Sequence, residues 1–249
     1  MANFLFKKSF QLKNFKPKIY DDLWGKRGVF STIRVIGDKP NYILFHDHLK
    51  NINLSLKKLN INYILSEKKI LSIIPKLEKI EKYDHLLRIA LNSKSISISL
   101  RKRLEPGKNF QSILYSYQRP NPSLKNLYYK KIIKKLSSIN TQEQEVLLIK
   151  NNFLLEGCTT NILCIHNKTI YLPKNNFYKG TTMSYLLRNT RRANKKINIS
   201  IHELPVFDEI ILVGSGKGVI SLKLIKNIDW KPKSNLIYKE LLNTYNKLL

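Results

Sequence analysis

Cysteine is almost missing from this sequence: Cys158 and Cys164 are the only two in 249 residues. Without Cys-x-x-Cys spacing they exclude a disulfide framework and a thiolate metal cluster. Both lie in apolar, strand-like sequence, so two buried thiols in a reduced, cytoplasmic protein are expected. Long apolar runs are missing too. No stretch reaches the roughly 18 residues that a membrane helix needs. The start, MANFLFKKSFQ, has neither a long apolar core nor a small-residue cleavage site, so neither a membrane span nor a signal peptide is expected. Acidic residues are scarce, 17 against 45 Lys and Arg, giving a formal charge of +28.

Such a charge commonly marks a partner that is nucleic acid or an anionic membrane. Here the lysines run evenly along the chain beside abundant Ile and Asn, as the codons of an AT-rich genome would produce. Tyr and Phe follow the apolar pattern and do not interleave with a basic stripe. Nucleic acid is therefore not the expected partner; a field that attracts small anionic substrates is. A metal site is not expected either. His46 and His48 form a His-x-His pair, but a lone pair of this kind is more often structural.

What is present is an ordinary globular composition, 43% hydrophobic, with length for one large or two modest domains. Residues 28–36 and 40–45 read as two strands joined by the turn Gly37-Asp38-Lys39. Helices are expected over about 47–59 and 66–80, then paired strands over 85–91 and 95–101, the second alternating as SISISL. The segment SYQRPNPS, with two prolines and no periodicity, is the best linker. It divides the chain into an N-terminal domain (1–117), a linker (118–123) and a C-terminal domain (124–249). Beyond it, Leu124, Leu127, Tyr128, Ile132 and Leu136 keep helical spacing, predicting a helix with Lys125 in its first turn. Two hairpins follow, turning at Asn151-Asn152 and Asn167-Lys168, where Asn tolerates the left-handed backbone of short turns. A helix over about 182–193, a strand at 209–213, a Gly-rich loop, a strand VISLKLI and a closing helix at about 234–248 complete an α+β pattern, not a βαβ repeat.

Four features carry chemistry. Lys125 follows the linker, and a desolvated lysine is suited to covalent catalysis; alone it is one of 36 lysines. Glu156 closes the apolar strand LLEG, where a carboxylate needs a partner such as a protonated pyridine nitrogen; a solvated turn residue is the plainer reading. Gly180-Thr181-Thr182 opens a helix, so its N–H groups and hydroxyls suit a phosphate, although Thr182 as a simple cap is also common. Gly214-Ser215-Gly216-Lys217-Gly218 could turn backbone N–H groups toward an anion, and its spacing excludes a P-loop.

Taken in order, Lys125 in PSLKNLYY, then LLEGCTTNI, KGTT and DEIILVGSGKG resemble the class IV aminotransferases, the fold-type IV pyridoxal-phosphate enzymes. GVFSTIRVIGDK and HDHLKNI resemble that family's first strand and helix. The resemblance implies a small N-terminal α/β domain, a larger C-terminal domain with an antiparallel, barrel-like sheet, and a homodimer. It implies that Lys125 carries pyridoxal 5'-phosphate covalently and moves protons, and that Glu156 binds the pyridine nitrogen. Thr182, Gly214 and Ser215 are implied to bind the phosphate, with Thr181 supplying a backbone N–H. Three positions depart from the pattern: Asn51 and Met183 stand where arginines are usual, and Tyr128 replaces an asparagine.

Within the family, Ser31 stands where branched-chain aminotransferases carry Glu, and Ser31-Thr32 resembles the paired hydroxyls of the lyase branch. Asn92 stands where D-amino-acid aminotransferases carry a carboxylate-binding Arg. The first expectation is therefore 4-amino-4-deoxychorismate lyase acting on a small anionic amine, with Thr32 positioning the leaving group. The alternatives are an aminotransferase for branched-chain or D-amino acids, and a basic anion- or nucleic-acid-binding protein on a decayed scaffold.

Overall fold

The computed structural model describes residues 4–75 and 80–249. The chain forms two compact units that interleave in sequence. One runs to Arg103 and takes up Leu124–Lys130 again; the other comprises Leu104–Ser123 and Lys131–Leu249.

The first unit is a six-stranded antiparallel sheet: β1 (Phe4–Gln11), β2 (Pro17–Lys18), β3 (Gly28–Gly37), β4 (Asn41–Tyr42), β5 (Tyr83–Asn92) and β6 (Ser95–Lys102), in the order β2-β1-β6-β5-β3-β4. The central register explains the core. Val29 faces Leu91 and Ile33 faces Leu87 across β3 and β5, and Leu87, Ile89 and Leu91 face Leu100, Ile98 and Ile96 of β6. Helix α1 (Phe45–Lys58) lays Leu49, Ile52 and Leu56 on that apolar face. Lys57 and Lys58 in its last turn complement the helix dipole. The strand expected at 40–45 shrinks to two residues, because α1 already starts at Phe45. The helix expected over 66–80 is α2 (Glu67–Ile73), N-capped by the Ser66 side chain accepting from Lys69 N; residues 76–79 lie outside the described residues. The serines of SISISL point away from the apolar face as expected, yet they too are buried, Ser97 pairing with Ser9 at 2.8 Å.

The second unit begins with β7 (Gln111–Ser116); after the chain's return to the first unit over Leu124–Lys130 it resumes in α3 (Lys130–Leu136). There follow β8 (Gln144–Lys150), β9 (Phe153–Gly157), β10 (Asn161–His166), β11 (Thr169–Pro173), α4 (Thr181–Asn189), β12 (Asn194–Ile197), β13 (Glu209–Gly214), β14 (Gly218–Ser221), β15 (Leu224–Ile225) and α5 (Leu236–Asn246). They build a five-stranded sheet, β12-β11-β10-β13-β14, and a four-stranded one, β15-β7-β8-β9. Ile162, Cys164, Ile210 and Leu212 of the larger sheet pack with Leu147 and Leu154 of the smaller. The intervening residues Leu163, Ile165, Ile211 and Val213 pack against α4 and α5 through Met183, Leu186, Ile237 and Leu241. Burial on both faces is why NILCI and EIILV read as unbroken apolar runs. Both cysteines are buried free thiols, as expected, and burial pushes their pKa well up.

Both hairpins turn where expected, with positive φ at Asn151, Asn152, Asn167 and Lys168. The helix expected to contain Lys125 is corrected. Residues 124–129 are not helical but irregular, with a single bridge at Asn126, and the helix begins only at Lys130. Pairing with the backbone of β3 overrides the helical spacing of Leu124 and Leu127. The helix expected over 182–193 stops at Asn189, because β12 leaves it to pair in parallel with β11. The predicted strand VISLKLI breaks after Ser221, and Leu224–Ile225 join the other sheet beside β7. No helix among the described residues is long and apolar enough to cross a membrane.

Candidate active site

Lys125 and Thr32 belong to the first unit. Phe30 N donates to Lys125 O and Leu127 N donates to Gly28 O, both at 2.9 Å, and Asn126 bridges to Val29. This fixes Lys125 alongside β3. Gly28 is obligatory there, since a Cβ would sit 2.2 Å from Leu91 O and 2.7 Å from Leu127 Cδ1. The Lys125 ammonium lies 5.2 Å from the Phe30 ring centroid. That ring meets Trp24 and Tyr129 edge-on, at 4.7 and 5.0 Å between centroids. Thr32 shares the Phe30 face of β3 by strand alternation and pairs in register with Arg88. The Arg88 guanidinium stacks 3.7 Å above Trp24.

Ser31 points to the opposite face, where its hydroxyl lies 2.7 Å from Nδ1 of buried His48. Burial, with a smaller contribution from the Lys125 charge, lowers the His48 pKa to about 3, so the ring is neutral. His46, exposed beside Glu67, points elsewhere. Among the described residues no three His, Cys, Asp or Glu side chains converge as a metal site would require.

Glu156, Thr181, Thr182, Gly214 and Ser215 belong to the second unit. Glu156, buried on β9, accepts from Arg119 Nε at 2.6 Å and from Tyr178 N at 3.1 Å. Arg119 is 1% exposed and also donates to Pro122 O. Two bonds leave acceptor capacity on the carboxylate for a further N–H. Asn161 then clamps the approach to α4: its Oδ1 accepts from Gly180 N at 3.0 Å, and its amide donates to Tyr178 O. Gly180, the N-cap, has no side chain to cap α4. At that N-terminus the hydroxyls of Thr182 and Ser215 come within 3.3 Å of each other. Dipole, backbone donors and two hydroxyls at one place suit an anion such as a phosphate.

Sequence reasoning missed Arg119, Asn161 and Tyr178. Arg119 sits in the segment read as linker, and its one signal is a basic residue between aromatics and prolines. Asn161 lies within the motif LLEGCTTNI and opens β10. Met183 is 1% exposed and packs among Leu186, Ile211 and Val213. Asn51 is half-buried on α1, and Tyr128 is half-buried next to the Asn126 turn.

One α+β chain thus holds, within its first unit, a lysine fixed beside a strand and, within its second, a buried, ion-paired glutamate and a hydroxyl-lined helix terminus. The chain belongs to the class IV aminotransferase family, whose model matches residues 28–225. That family's enzymes depend on pyridoxal phosphate, and this protein is an enzyme of that class, lyase or aminotransferase. Solved structures share the fold throughout. A candidate 4-amino-4-deoxychorismate lyase from Legionella pneumophila is 18% identical over 95% of this chain and 97% of that one, with a TM-score of 0.73. The branched-chain aminotransferase of Thermoproteus uzoniensis, solved with norvaline, is 16% identical over 96% and 93%, at 0.79. A hypothetical aminotransferase from Mycobacterium tuberculosis, in a PLP-bound form, is 13% identical over 98% of each chain, at 0.71. No curated protein matches the sequence.

Proposed function

We propose that the protein is a pyridoxal-phosphate-dependent 4-amino-4-deoxychorismate lyase, which eliminates pyruvate and leaves 4-aminobenzoate. The observation that carries the choice is Asn92. Its Oδ1 accepts from Lys94 N at 2.9 Å and Ser95 N at 2.7 Å, closing the β5–β6 turn. The position that supplies a carboxylate-binding arginine in D-amino-acid aminotransferases is thus a turn residue here. Ser31, held by His48, replaces the glutamate of branched-chain enzymes.

The residues present fit the cofactor. Lys125 would hold it covalently, and Glu156, oriented by Arg119 and Tyr178, would accept from the ring nitrogen. Thr182, Ser215, Gly214 and the Thr181 N–H would hold the phosphate. Bound pyridoxal phosphate supplies an electron sink for the carbon that loses its proton. Lys125, as an amine, would take that proton at Nζ and deliver it to the departing enolpyruvyl group, which leaves as pyruvate once its bond to the ring breaks. Thr32 orients the departing pyruvyl group with its hydroxyl. Aromatisation drives the elimination.

Cofactor-loaded protein is expected to release pyruvate from aminodeoxychorismate, while Lys125→Ala abolishes both the release and the lysine-linked cofactor absorbance. Absence of pyruvate together with turnover in an amino-acid/2-oxoglutarate screen would replace the lyase by an aminotransferase. Absence of cofactor absorbance with salt-sensitive DNA binding would replace both.

A further inference from the structure

Glu145 is a fully buried carboxylate that no proposed step uses. It lies near the start of β8 and takes four hydrogen bonds. Oε1 accepts from Val146 N at 3.0 Å; Oε2 accepts from Thr159 N at 3.3 Å, from Thr160 Oγ1 at 3.2 Å and, through a short bond, from Thr159 Oγ1. Three of the four donors sit on the turn that leads from β9 to β10, immediately after Glu156. That turn is closed further by Gly157 N donating to Thr160 O at 2.9 Å and Cys158 N to Val146 O at 2.8 Å.

The turn is packed on both sides without slack. A Cβ at Gly157 would lie 2.2 Å from Thr160 Oγ1 and 3.2 Å from Glu145 Cγ, and one at Gly214 would lie 3.0 Å from Thr159 O. Glu145 therefore touches the turn, the turn touches Gly214, and Ser215 next to it reaches Thr182. The loop also answers electrostatically. Burial pushes the Glu145 pKa up, and the Lys217 charge, from the same loop, is the largest of the influences pulling it back. Lys217 itself donates to Thr141 O and sits 4.7 Å from the Phe110 ring centroid. The basic residue of GSGKG thus serves the interior of the unit.

We propose that Glu145 is a positioning residue: it holds the 157–160 turn so that the strand carrying Glu156 and the Gly214–Ser215 loop keep one fixed relation. The consequence for cofactor affinity rests on the reading that this loop and α4 hold the cofactor's phosphate. An apolar residue would leave four donors unpaired, and glutamine would keep one acceptor while turning an amide N–H toward another donor.

The test uses Glu145→Ala and Glu145→Gln, with Leu204→Ala as a cavity control in the same unit. Amide hydrogen exchange on cofactor-free protein reads the coupling, and absorbance titration with pyridoxal phosphate reads the consequence. Glu145→Ala is expected to speed exchange at 214–218 as well as 157–160, and to raise the dissociation constant tenfold or more. Leu204→Ala should leave both within twofold. Should Glu145→Ala not fold, Glu145→Gln carries the test with an expected rise of at least threefold. Exchange at 214–218 and a dissociation constant both within twofold of the parent, with only the melting temperature lowered, would overturn the proposal. A parent protein that binds no pyridoxal phosphate would sink the functional reading, and the exchange result would still decide this one.

Discussion

His48 shows what burial does to a single side chain. Its imidazole is 4% exposed and held by Ser31, and its pKa falls from 6.5 to about 3. The unfolded chain therefore binds a proton that the folded chain refuses between those values. Stability from this group is complete above pH 6.5 and drains away as pH falls toward 3, by about 1.4 kcal/mol per unit. Denaturant unfolding at pH 5 should show about 2 kcal/mol less stability than at pH 7 from His48 alone. His48→Gln, which can still bond Ser31, should flatten that slope; an unchanged slope would mean the ring is protonated in the fold. Arg119 and Glu156 make the complementary case, a buried pair whose halves depend on each other. Removing one partner of such a pair typically costs about 3–5 kcal/mol. Arg119→Met should lose stability on that scale and weaken pyridoxal phosphate binding. Adding Glu156→Gln should restore much of the stability and none of the binding. Full additivity in that cycle would show that the two side chains act separately.

At the scale of elements, the sequence was most readable where local chemistry decides the backbone. Asn151-Asn152 and Asn167-Lys168 announce their turns because few residues adopt positive φ readily, and the apolar runs around them have no other place to go. It was least readable where a distant backbone takes over. Leu124 and Leu127 keep helical spacing, yet Gly28 and Phe30 claim their segment for β3, and nothing local signals that. The same holds for β12, whose NKKI looks like a solvated helix end until β11 pairs with it. Of the candidate site, Glu156, Thr182 and Ser215 stand out in the sequence because each lies at or near the end of an apolar element. Asn161 does not, since its work is done on Tyr178 and Gly180. That clamp leaves no room: a Cβ at Gly180 would lie 2.4 Å from Asn161 Oδ1. Gly180→Ala should therefore displace the first turn of α4 and lower affinity for pyridoxal phosphate about tenfold, or ~1.4 kcal/mol. The melting temperature should move little. An unaltered titration would place the phosphate away from α4.

For the molecule as a whole, charge is the property that sequence states and the fold then distributes. The net +28 is the excess of 45 Lys and Arg over 17 Asp and Glu; among the described residues Arg119 with Glu156 is a deeply buried ion pair. Most of the other Lys and Arg stay near solvent, where they sum to a long-range field. A field of this sign raises the local concentration of a dianionic substrate and speeds its arrival without touching the chemical step. Its reach is the Debye length, about 10 Å at 0.1 M salt and about 3 Å at 1 M. Raising KCl from 0.02 to 0.5 M should therefore lower kcat/KM for aminodeoxychorismate severalfold and leave kcat unchanged. A substrate without net charge should show no such slope. If kcat falls in parallel, salt is acting on the site itself, on Arg119 and Glu156 or on the phosphate cradle. If neither constant moves, the charge is only a trace of base composition, and the steering role fails while the site reading stands.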